Sequence, residues 1–84
     1  MEKLTIGDRI LMYAENGETS IKLNLYKKQI EVLIEDGYAV QLIGSVQNNP
    51  DQCICKIEWK NAIKGTSAYE SLRKAAEVKP ELLQ

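Results

Sequence analysis

The sequence contains no histidine, which removes both the commonest general base at neutral pH and the commonest nitrogen ligand for transition metals. Its only two cysteines are Cys53 and Cys55, and two thiolates fall short of the four ligands a structural zinc site needs. On one strand, residues spaced i and i+2 have Cα atoms about 6.5–7 Å apart and parallel Cβ vectors, a poor geometry for a disulfide. Both thiols are therefore expected to be reduced and metal-free, as in a reducing, cytoplasmic setting. Gly7, Gly17, Gly37, Gly44 and Gly65 are isolated from one another, so no glycine-rich phosphate loop is present. No apolar run approaches the ~18 residues of a membrane span, and no segment reads as a signal peptide. Net charge is also small: 11 Lys and Arg stand against 12 Asp and Glu, for a net −1. That balance supplies no overall field to draw in nucleic acid or anionic lipid. Neither an enzyme nor a cofactor is expected.

What remains is an ordinary globular composition, 44% hydrophobic and 27% charged, which argues against a disordered chain. The 84 residues read as a single domain, 1–84, with a thin core and a frayed tail at 79–84. The fold class expected is α+β: a small antiparallel sheet packed against two or three helices.

The sheet is built on a β-hairpin over 38–60. Val40, Leu42, Gly44 and Val46 alternate with Ala39, Gln41, Ile43 and Ser45, and Cys53, Cys55, Ile57 and Trp59 alternate with Ile54, Lys56, Glu58 and Lys60. Such period-two patterning marks half-buried strands. A turn at Asn49-Pro50-Asp51-Gln52 suits type I chemistry and pairs Val46 with Cys53, Gly44 with Cys55, Leu42 with Ile57 and Val40 with Trp59, all on one apolar face. Val40, Leu42, Ile57 and Trp59 are thus expected to be buried together. A short strand at 20–25 carries Ile21, Leu23 and Leu25 on one side.

Helical periodicity places a helix at 26–36, with Tyr26, Ile30, Leu33 and Ile34 in one stripe and Gly37 as its left-handed terminator. Its charges oppose the helix dipole, since Lys27 and Lys28 open it and Glu35 and Asp36 close it. A second helix at 68–78 begins with a Ser67/Glu70 capping box, buries Tyr69, Leu72 and Ala76 with Ala68 and Ala75 beside them, and stops before Pro80. Residues 5–16 admit two readings. One is a helix capped by Thr5, stopped by Gly17 and turned inward at Ile6, Ile10, Tyr13 and Ala14; the other is a hairpin about Asn16-Gly17 that sets Glu15 against Glu18.

Two surfaces carry functional expectations. The outer face of the hairpin presents Gln41, Ile43, Ile54, Lys56, Glu58 and Lys60. There Ile43 and Ile54, as diagonal neighbours, form an apolar spot ringed by charge, a composition that suits a protein partner. By elimination, the chain reads as a small non-enzymatic regulatory or inhibitory protein acting by protein–protein contact. The second surface follows from a resemblance. Residues 10–17, 19–21 and 30–38, in the order helix, short strand, helix, hairpin, make the chain similar to a winged-helix domain. Between Ile21 and Tyr26, however, there is no room for the second helix of a helix-turn-helix. The resemblance implies a DNA-binding regulator in which Lys27, Lys28 and Gln29 open the recognition helix and Asn48 and Asn49 sit at the wing tip.

Overall fold

The fold follows from a computed structural model that describes residues 5–83. Three helices and three strands succeed one another as α1 (Ile6–Glu15), β1 (Ser20–Tyr26), α2 (Lys27–Glu35), β2 (Ala39–Val46), β3 (Asn49–Glu58) and α3 (Ser67–Val78), followed by a 3-10 turn at Pro80–Leu83. The strands form one antiparallel sheet in the order β1-β3-β2. β3 therefore lies in the middle, and β1 and β2, joined over it by α2, form the two edges. The fold is α+β.

The first segment is helical. The Thr5 hydroxyl accepts from the Asp8 backbone N–H while the Asp8 carboxylate accepts from the Thr5 N–H, both at 3.1 Å, a reciprocal cap that satisfies two otherwise orphaned donors. Ile10 and Ala14 are buried and Ile6 packs at the margin of the core, whereas Tyr13, expected inward, is exposed. β1 runs straight into α2: the Gln29 side-chain oxygen accepts from the Tyr26 N–H at 2.8 Å, which stops the strand and starts the helix at the same residue. Tyr26 itself points outward, and so does Ile34; of the expected stripe only Leu33 is buried and Ile30 half-buried. α2 lies nearest β2 and leaves part of its apolar flank beyond the sheet.

The hairpin departs from the expected register. Its turn is the two-residue Gln47-Asn48, not Asn49-Pro50-Asp51-Gln52, and the pairs are Val40–Ile57 and Leu42–Cys55. From Ala39 to Leu42 the slip is two residues, an even number, so Val40 and Leu42 keep their expected face and alternation alone cannot distinguish the two registers there. Gly44, expected beside Cys55 on the apolar face, instead pairs with Ile54 on the other. A bulge then inserts Ile43 between the Leu42–Cys55 and Gly44–Ile54 pairs, and a second irregularity follows between Ser45 and Val46. Ile43, expected as the diagonal neighbour of Ile54, thus has no cross-strand partner of its own, and Gly44 stands opposite Ile54. Ile57 and Trp59 are fully buried, but Val40 is only half-buried and Leu42 is 65% exposed, because β2 is an edge and its far half projects past the helices.

α3 starts one residue earlier than expected. Thr66, not Ser67, is the N-cap, accepting from the Tyr69 N–H at 3.2 Å while donating to the Ile63 carbonyl at 2.7 Å. Ala68, Ser71, Leu72, Ala75 and Ala76 are buried and Tyr69 is half-buried. α3 packs on α1, and small residues at its buried positions permit the close approach. Within the segment 79–84, expected as a frayed tail, Pro80–Leu83 form the 3-10 turn and Leu82 packs against the core, while Gln84 lies outside the described residues. One hydrophobic cluster joins all of these elements, with Trp59, Ile10, Leu25, Ile57 and Cys55 as its largest fully buried side chains. All three helices serve the face of the sheet bearing Ile21, Leu25, Cys55 and Ile57.

Candidate functional site

The opposite face of the sheet is left open. Reading across β1, β3 and β2, its rows are Ser20–Glu58–Ala39, Lys22–Lys56–Gln41 and Asn24–Ile54–Gly44. Lys22, Asn24, Ala39 and Gln41 are exposed on the two edges, and Ile54, Lys56 and Glu58 are half-buried on the central strand. The Lys56 ammonium lies 3.0 Å from a Glu58 carboxylate oxygen. Lys22 stands directly opposite Lys56, a like-charge cross-strand pair that costs stability. Among the described residues no carboxylate lies within salt-bridge distance of Lys22. Of the residues expected here, Gln41, Ile54, Lys56 and Glu58 share this face. Ile43 occupies the bulge at its margin, and Lys60 falls in the turn after β3. Lys22 and Asn24 belong to the same surface and were not anticipated. Their outward parity in β1 was legible in the sequence, but the pairing of β1 with β3 was not.

The residues proposed to meet DNA are dispersed. Lys27 lines a cleft of about 600 Å³ between α2 and the hairpin, together with Ile30, Glu31, Ile34, Leu42 and Asp51. Lys28 lines a different cleft of about 490 Å³ between α2 and α1, beside Asp36. The two lysines thus diverge to opposite flanks of one helix. Gln29 is engaged in capping Tyr26, and the Asn49 amide donates to the Gln52 side-chain oxygen at 3.1 Å, so both are occupied within the fold. Asn48 is exposed at the hairpin tip.

Two buried titratable groups are shifted toward their neutral forms. Burial pushes the Cys55 thiol above its ordinary value, and the neighbouring Cys53 adds to the shift, so the thiolate is disfavoured. The Tyr38 hydroxyl is also pushed up by burial, partly countered by its hydrogen bond with Ser71 at 2.9 Å and reinforced by Asp36. Both cysteines are free thiols. Among the described residues no three His, Cys, Asp or Glu side chains converge as a metal site, and no helix is long and apolar enough to cross a membrane. Comparison with family models, with curated proteins and with solved structures returned no match to this chain.

Proposed function

We propose that this is a small non-enzymatic regulatory or inhibitory protein that works by contacting another protein through the open face of its sheet. The observation that supports this most is the composition of that face: a half-buried Ile54 at the centre, the opposed charges of Lys56 and Glu58 beside it, and polar edges at Asn24 and Gln41. An apolar centre with a polar, mixed-charge rim is the anatomy of a protein interface. Seven rows of three strands cover roughly 300 Å² from strand spacing and rise, against ~800 Å² per partner in a standard complex. A stable partner therefore has to reach past the sheet onto its flanks.

A second reading, a winged-helix-like DNA-binding regulator, draws support from one feature: Lys27 at the start of α2 shares a cleft with Pro50 and Asp51 at the base of the hairpin tip. Glu31 and Asp51 in the same cleft weaken it, because opposed charges within a Debye length of ~8 Å cancel much of the attraction to phosphate. Affinity capture from the source lysate separates the two readings. Wild type is expected to retain a protein partner that is lost with Ile54→Asp and kept when Lys27 and Lys28 are both replaced by Ala. Capture indifferent to Ile54→Asp, or a nanomolar DNA complex at ~150 mM salt that the double alanine variant abolishes, overturns the proposal.

A further inference from the structure

We infer that the protein self-associates as a two-fold dimer through the free edge of β2 and the adjoining flank of α2. Edge strands are ordinarily guarded by charge or proline. β1, one edge, carries Lys22, whereas β2, the other, runs Ala39–Val46 without a charge or a proline. Exposed apolar side chains gather at the same place: Ile34 is 56% exposed, Leu42 65% and Ile43 49%. Ile34 and Leu42 line one cleft with Ile30, Val40, Pro50 and Cys53. The bulge at Ile43 restricts regular pairing along this edge to Ala39–Leu42, so the contact rests on side chains more than on a long ladder of hydrogen bonds.

The charges of α2 identify the occupant as a second copy. Within one chain they are misplaced, with Lys27 and Lys28 at the positive end of the helix dipole and Glu35 and Asp36 at the negative end. A two-fold axis beside β2 brings up α2 of the second copy in the opposite direction, so Lys27 of one faces Glu31 and Glu35 of the other, twice over. A surface positive at one end and negative at the other is complementary to itself reversed, as an isologous interface requires. An uncharged β2 meets its own copy without like-charge repulsion.

Sedimentation equilibrium of the full chain across the micromolar range tests this. The dimer mass is expected for wild type, and the monomer mass for Leu42→Asp, which alters a side chain with little part in the core. Lys27→Glu removes a charge unfavourable to the helix dipole, so any loss of association it causes is not a loss of folding. It is expected to weaken the dimer about tenfold or more, and the full reversal Lys27→Glu/Glu31→Lys/Glu35→Lys is expected to restore it. Ile54→Asp on the open sheet face should leave the dimer intact, which keeps this result separate from that of the capture experiment. A wild-type monomer at every concentration, a dimer unaffected by Leu42→Asp, or failure of the charge reversal to rescue Lys27→Glu each overturns the inference.

Discussion

Tyr38 sits at the entrance to β2 in a T-shaped contact with the Trp59 indole, centroids 6.2 Å apart and planes at 89°. Its hydroxyl reaches 33 residues along the chain to Ser71 of α3. This is the one buried side-chain hydrogen bond that ties the sheet to α3 among the described residues, and it leaves both hydroxyls satisfied. Among the described residues the Trp59 Nε1 has no hydrogen-bond acceptor, so within them the indole contributes through packing. Burial raises the Tyr38 hydroxyl above its ordinary value of 10.0, and the sign of the linkage follows directly. The folded state holds the proton more tightly than the unfolded state, so this contribution to stability is complete below pH ~10 and is lost as pH rises through the folded value. Urea midpoints are expected to fall above pH ~10 in wild type and to fall less steeply in Tyr38→Phe. An unchanged slope in the variant would assign the alkaline loss to other groups.

At the scale of elements, the end of α2 and the start of α3 are fastened together. Gly37 has φ +94°, the left-handed region that favours glycine, and a Cβ there would meet the Thr66 side chain at 2.6 Å. The Ala68 N–H donates to the Asp36 carbonyl at 3.0 Å across the same junction. Gly65 has nearly the same φ, +92°, but open space around its Cα. Alanine at each position therefore separates backbone strain from steric conflict. Gly65→Ala should cost ~1–2 kcal/mol from the left-handed backbone alone. Gly37→Ala should cost appreciably more, since Thr66 is fixed as the α3 cap and cannot move without releasing the Tyr69 N–H. Thermal or urea denaturation of the two variants gives the comparison, and equal losses would mean that the Thr66 contact relaxes freely. The sequence made Gly37 legible as a helix terminator, but not its approach to a residue 29 positions later.

For the whole molecule, helices on one side of a three-stranded sheet leave the other side to solvent, and the charges there were placed by a pairing between distant strands. Lys22 and Lys56 are 34 residues apart in sequence and directly opposite in the sheet. Lys22→Glu converts a like-charge pair into an opposed one and is expected to stabilise the fold by ~0.2–1 kcal/mol, read as a higher urea midpoint that declines with added salt. The same variant is expected to weaken capture of the protein partner proposed for this face. A stabilising substitution that impairs binding would mark Lys22 as held for function at a cost to the fold.

Periodicity and helix signals in the sequence determined which side chains face which way: Ile21 and Leu25 inward in β1, Cys55, Ile57 and Trp59 inward in β3, Leu33 inward in α2, with Gly37 terminating α2 and the apolar spacing of α3 setting its buried stripe. These are local properties, fixed by the 2.0- and 3.6-residue repeats of the backbone. Only the tertiary structure decided between helix and hairpin at 5–16, set the turn at Gln47-Asn48 over Asn49-Pro50, inserted the bulge at Ile43, and placed β1 beside β3 so that Lys22 meets Lys56. A two-residue slip leaves the faces unchanged, so alternation excludes a one-residue slip but cannot choose between registers two residues apart. Parity likewise says which way Leu42 and Ile34 point, but how deeply they are buried depends on where the neighbouring helix ends over an edge strand, and that is a property of the assembled layers.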